Sequence, residues 1–243
     1  MKRFILAICA VFLLTVNAQA MMMADTILLE DFEDANVSYT TSVPEFTDGY
    51  YDFFMRTDGS DMRYAEYQNV QGSYYFAGMD LDAEGATLPL TMTFSGIDIS
   101  GYTNLVFTAL IAEDDSYDGL EDWDELDSVK IEYQIDGNGY QNLLAFENDG
   151  STYNSAAFVD SDFDGTGDGT ELTDTFTEFC VFLSATGQTM DLKITFDLDS
   201  GDEDIAFDDI TLCGTPAAVP VPGAVILLGS GLIAAAGIRR KDS

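Results

Sequence analysis

Val129-Lys130-Ile131-Glu132-Tyr133-Gln134-Ile135 alternates apolar and polar side chains without a break, and Leu192-Lys193-Ile194-Thr195-Phe196-Asp197-Leu198 does the same. A period of two turns successive side chains to opposite faces, so each stretch reads as a strand with one greasy side and one wet side. Leu90, Met92 and Phe94 alternate with Thr91 and Thr93, and Leu105, Phe107, Ala109 and Ile111 make a further stripe. Similar runs at 26–29, 50–57, 63–70, 72–79, 139–146, 176–184 and 205–212 are punctuated by turn residues, as at Asp136-Gly137-Asn138-Gly139. Roughly ten one-sided strands need a second sheet to cover their apolar faces. The expected class is therefore all-β, a two-sheet β-sandwich of jelly-roll-like form over residues 25–214.

Composition narrows the chemistry. Hydrophobic residues at 47% and aromatics at 12% exclude a disordered chain. Formal net charge is −35, and all 44 acids except Asp242 fall in residues 21–222. The bases of that region are Arg56, Arg63, Lys130 and Lys193. Such a field repels nucleic acid and attracts divalent cations, and it also keeps a protein soluble in salty water. Histidine is absent, which removes Ser-His-Asp and Cys-His catalysis and His-ligated zinc. A glycosidase needs only two placed carboxylates, but nothing marks an apolar pocket that would raise the pKa of one. The expectation is that the chain is no enzyme.

The sharpest motif runs from Asp160 to Glu171. Asp160, Asp162, Asp164, Asp168 and Glu171 stand at positions 1, 3, 5, 9 and 12, with Gly165 at 6 and the Thr166 carbonyl at 7. Alternating carboxylates can wrap a hard cation, and glycine permits the bend. The flanks look like strand, and Gly167 stands where an EF-hand has an apolar residue, so the expectation is an EF-like calcium loop set between strands. Asp80, Asp82 and Glu84 make a further acidic group that rests on composition alone. Trp123, the only tryptophan, lies in an acidic run and could stack on a sugar or plug the sandwich edge. Tyr50, Tyr51, Tyr64, Tyr67, Tyr74 and Tyr75 could extend such a platform or form cross-strand pairs. Cys180 and Cys213, both outward by alternation, are expected to pair as a disulfide across neighbouring strands.

The ends read differently. Lys2 and Arg3 precede an apolar stretch over 4–16, and Ala18-Gln19-Ala20 offers small residues for cleavage. This is the layout of a signal peptide over 1–20, removed by signal peptidase. At the far end, in a tail over 215–243, Val219-Pro220-Val221-Pro222-Gly223 leads into an apolar run at 224–238, closed by Arg239, Arg240 and Lys241. That run is shorter than the ~20 residues of an ordinary spanning helix, and its basic end should stay cytoplasmic. The layout resembles the PEP-CTERM sorting signal, in its VPLPA-like variant, of exosortase substrates in Gram-negative bacteria. The resemblance implies transient anchoring by the 224–238 membrane helix, cutting near Pro222 by an exosortase, and release to the cell surface or beyond. It also implies a setting of exopolysaccharide production. A permanent membrane helix is the alternative.

Leu28-Leu29-Glu30-Asp31-Phe32-Glu33 opens the domain, and Asp204-Ile205-Ala206-Phe207-Asp208-Asp209-Ile210-Thr211-Leu212 closes it. These edges resemble the opening and closing strands of jelly-roll carbohydrate-binding modules and related adhesion domains. The resemblance implies that first and last strands pair, often around a structural calcium. Glu30, Glu33, Asp208 and Asp209 are its candidate ligands, unless Asp-Asp merely satisfies backbone donors in an edge bulge. The expected role is a calcium-stabilised, non-enzymatic surface or matrix protein. The alternatives are an exopolysaccharide-binding module and a small glycan-active enzyme.

Overall fold

The computed structural model describes residues 24–63, 65–83, 85–114, 123–151 and 155–217. The expected signal peptide at 1–20 and the expected membrane helix at 224–238 lie outside them. Strands follow in order: β1 (Asp25–Glu30), β2 (Thr40–Thr41), β3 (Phe46–Thr47), β4 (Phe53–Thr57), β5 (Tyr75–Met79), β6 (Leu90–Asp98) and β7 (Tyr102–Ala112). Then come β8 (Ser128–Ile135), β9 (Gln141–Glu147), β10 (Phe158–Val159), β11 (Thr177–Leu183), β12 (Thr189–Asp197) and β13 (Asp204–Pro216). They build two antiparallel sheets, a β-sandwich as the alternation requires. One has seven strands in the order β11-β7-β13-β5-β4-β3 with β1 also on β13, and the other has six, β10-β9-β8-β12-β6-β2. Among the described residues no helix is long and apolar enough to cross a membrane.

β13 is the spine of the seven-stranded sheet. Along one side it pairs with β7, while on the other Asp204–Phe207 pair with β5 and Ile210–Gly214 pair with β1. The first and last strands thus lie side by side. A bulge between Asp208 and Thr211, with Asp209 at φ 46°, marks the change of partner.

The core lies between the sheets. Phe54, Phe76 and Phe207 project from one sheet and Phe94 and Phe196 from the other, all at most 1% exposed. Phe196 meets Phe54 at 5.3 Å and Phe207 at 5.7 Å, edge to face, so one ring of β12 bridges two strands of the opposite sheet. Tyr39 extends the seam with edge contacts to Phe76 and Phe94.

The stretch 63–70 is not a strand. Gln68 makes one isolated bridge to Thr175, while Met62, Ala65, Tyr67 and Val70 fold onto the outer face of the seven-stranded sheet. There Tyr67, Tyr75 and Phe176 pack ring against ring. Its apolar residues cover a patch of sheet rather than extend one, and spacing alone cannot separate those two uses.

Truncating the bridging ring should open a cavity at the centre of the seam. Phe196→Ala is expected to lower the free energy of unfolding by about 3–5 kcal/mol in urea titration.

Candidate functional site

β10 places Asp160 at the mouth of the predicted calcium loop. Asp160 is only 2% exposed, and its carboxylate accepts from the N–H groups of Phe163 (2.7 Å), Asp164 (3.3 Å) and Gly165 (2.9 Å). Gly165 takes φ 90°, the bend the motif asks of it. Carboxylate oxygens of Asp160, Asp162 and Asp164 come within 4.8 Å of one another. The charge of Asp164, ahead of burial and of Asp168 and Asp160, pushes the Asp162 carboxyl up. Three converging oxygens fit part of the shell of a hard cation.

The second half of the motif goes elsewhere. Asp168 accepts from the N–H (3.0 Å) and hydroxyl (2.7 Å) of Ser161, and Glu171 bridges to Phe158. Thr166 packs its methyl beside Gly150. Neither Asp168 nor Glu171 joins the converging trio. The chain after Gly165 returns alongside β10, with Val159 donating to the Thr170 carbonyl at 2.9 Å, and this carries the twelfth residue away. Gly167 shows how tight the return is, since a Cβ there would lie 2.4 Å from the Glu147 carbonyl oxygen.

A second centre escaped sequence analysis. Asp124 and Asp127 precede β8, Glu203 precedes β13, and their oxygens also fall within 4.8 Å of one another. Asp127 and Glu203 are 1% and 3% exposed. Glu203 accepts from the N–H groups of Asp199 (2.8 Å) and Ser200 (2.7 Å), and Asp127 accepts from Asp124 N–H. Burial raises both carboxyls well above the ordinary range, and their mutual charge raises Glu203 further. The four bases of the folded region are engaged elsewhere. Lys130 pairs with Glu147 (2.9 Å) and Lys193 with Glu132 (2.7 Å), Arg56 donates to the carbonyls of Phe32 and Glu33, and Arg63 lies over Tyr50. This acid group can hold a proton or a cation. Beside it, Asp80 is pushed up to about 6 by burial and the charges of Asp52 and Asp82, while Glu84 lies outside the described residues.

Among the described residues no three acids at the domain's edges bring their oxygens within 4.8 Å of one another, although the charge of Glu33 reaches both Asp208 and Asp209. Glu30 accepts from Phe32 and Ser38 N–H, and Glu33 from Ser73 and Tyr74 N–H. Asp208, fully buried at the bulge, accepts from Gln71 and Asp209 N–H. Burial pushes its carboxyl up to about 7. Glu30, Glu33, Asp208 and Asp209 are absent from the converging groups, and the first three are engaged by backbone donors instead.

Trp123 is fully buried in the core and exchanges backbone hydrogen bonds with Ser155, so it offers no face to a sugar. Tyr67 and Tyr75 are packed against Phe176, Arg56 covers Tyr74, and Tyr64 lies outside the described residues. Of that set, Tyr50 (47%) and Tyr51 (37%) remain exposed. The cysteine pairing is also corrected. Cys180 on β11 and Cys213 on β13 are free thiols, because β7 runs between their strands. Two strand spacings are ~9–10 Å, beyond the ~7 Å reach of a disulfide. On this same outer face a groove of about 470 Å³ is lined by Leu29, Gln71, Thr108, Glu178, Asp209 and Thr211.

No family model matches the chain, and no curated protein does. Solved structures with a similar fold include a Stig cyclase from Fischerella sp. TAU, at 15% identity and TM-score 0.49, covering 81% of this chain and 100% of that one. The CBM22-1 xylan-binding domain of Paenibacillus barcinonensis Xyn10C is similar at 13% identity and TM-score 0.42, covering 82% and 100%. The K3 cleaved adhesin domain of Lys-gingipain from Porphyromonas gingivalis w83 is similar at 16% and 0.41, covering 79% and 99%. Cyclases among these structures overturn the expectation that the chain is no enzyme. At these scores none of the likenesses assigns an activity, substrate or ligand to this chain.

The raised carboxyls set a pH dependence. An acid whose folded pKa exceeds its unfolded value binds its proton more firmly when folded, so stability falls as pH rises between the two values. For Asp208 the window runs from ~3.9 to about 7. Asp127 and Glu203 act in the same direction. In EDTA the urea midpoint should therefore fall between pH 5 and pH 8, and Glu203→Gln should flatten that fall.

Proposed function

We propose that this chain is an exported cell-surface or extracellular-matrix protein, delivered by the exosortase route, whose β-sandwich is braced by calcium. Support for the address comes from sequence at both ends: the charged and apolar opening over 1–20, and the Val219-Pro220-Val221-Pro222-Gly223 entry, apolar run and Arg239-Arg240-Lys241 stop. The observation that carries the calcium reading is the convergence of Asp160, Asp162 and Asp164 in a loop free of lysine and arginine. Exopolysaccharide is the partner this address brings within reach. The groove between β1 and β11 presents Glu178, Asp209 and two threonine hydroxyls to polyol hydroxyls.

Asp162 is the informative position. Asp160 also ties down its own loop, so its loss would destabilise the loop with or without metal. Calcium at millimolar concentration should raise the melting temperature, and Asp162→Asn should remove most of that rise while leaving the EDTA value equal or higher. An Asp162→Asn protein that keeps the full rise would reject the loop as the site.

Intact-mass measurement of the exported protein tests the address. The expected species lacks residues 1–20 and the tail beyond about Pro222. A mass that retains residues 224–243 would count against sorting.

A further inference from the structure

β11 closes one side of the seven-stranded sheet. It pairs with β7 in unbroken register, from Thr177 opposite Ile111 to Leu183 opposite Leu105. Its other edge has no backbone partner among the described residues. A long open edge is a template for another strand, and proteins usually blunt such edges with short strands, bulges, lysine or proline. The strands closing the other margins follow that rule: β2, β3 and β10 are two residues long, and β1 is bulged between Thr26 and Leu28. β11 has none of these devices. Its seven residues, Thr-Glu-Phe-Cys-Val-Phe-Leu, hold one charge, Glu178, in a chain of net charge −35. Phe182 is 79% exposed, and Cys180 beside it is exposed as well.

We propose that β11 is a self-association edge, on which a second copy of this chain docks through its own β11, antiparallel, about a two-fold axis at Cys180. Charge selects this occupant. A basic strand would find a single carboxylate to pair with on β11, and a strand rich in acids would set like charges against Glu178. A second β11 brings an edge of equal length with one carboxylate of its own, and charges elsewhere on the two copies are screened beyond about 8 Å at physiological salt. Centring on Cys180, the middle residue, sets Phe182 across from the partner's Glu178, where the ring covers its aliphatic stem. The two Glu178 carboxylates then stand four residues apart along the strands, ~13 Å, beyond the screening length of about 8 Å at physiological salt. Cys180 falls opposite the partner's Cys180 with Cα atoms about 4.5–5.5 Å apart, within disulfide reach.

The test uses the protein as exported, without residues 1–20 and their Cys9. Sedimentation at tens of micromolar should give the dimer mass under reducing conditions. In Cys213→Ser protein, copper phenanthroline, a thiol oxidant, should take two electrons and two protons from a Cys180 pair and form a disulfide-linked dimer. Cys180→Ser protein, which keeps Cys213, should form none. Phe182→Asp alters an exposed side chain and sets an acid across from the partner's Glu178, so the circular dichroism spectrum of the folded chain should be unchanged while the mass halves to that of the monomer and cross-linking is lost. A monomeric unmodified chain, a cross-link through Cys213, or a dimer that survives Phe182→Asp would overturn the proposal.

Discussion

Carboxylates in this protein vastly outnumber the cations that could neutralise them. The folded region has only Arg56, Arg63, Lys130 and Lys193. Backbone N–H groups therefore stand in as the positive partners. Glu33 takes two consecutive amides at the start of β5, and Asp136 takes those of Gln188 and Thr189 across a turn. Asp160 gathers the amides of its loop, and Glu203 those of the turn before β13. These contacts lower Glu33 and Asp136, which sit at the surface. They fail to offset burial at Asp208 and Glu203, whose carboxyls stay raised. Surface acids thus lend stability above the ordinary carboxylate range, and buried acids take it away there.

The sandwich tolerates this because its cohesion is apolar. A ring seam from Tyr39 through Phe76, Phe54, Phe196 and Phe207 ties the sheets together without a charge. β13 adds a second constraint, for it holds β7 on one flank and both β5 and β1 on the other. Its change of partner requires the bulge, and the bulge buries Asp208. A charge-prone group inside the sheet is thus a consequence of topology. The loop that folds over the outer face between residues 62 and 70 likewise shields part of the sheet and, among the described residues, leaves the outer face of β11 uncovered.

Much of the architecture was legible in the chain. Period-two stripes at 129–135 and 192–198 mark β8 and β12 because a strand half buried in a sandwich cannot hide its alternation. The bend at Gly165 and the pairing of first and last strands were also readable. The Asp124, Asp127 and Glu203 group was not, since some 76 residues separate its members and only the packing of two inter-strand connections joins them. Trp123 carries no local signal for its burial; the antiparallel bridge to Ser155 puts it inside.

By itself the sequence determined the all-β class, the anionic surface and the sandwich, because alternation and composition act locally and need no knowledge of neighbours. Only the tertiary structure decided which acids converge and which thiols can meet. Strand order sets distances across a sheet, and a single intervening strand, β7, is enough to keep Cys180 from Cys213. Chain return beside β10 likewise split a twelve-residue motif into three converging carboxylates, one, Asp168, that holds Ser161, and Glu171, which meets Phe158 through its backbone. Spacing along a chain fixes the order of ligands, but backbone path fixes where each one points.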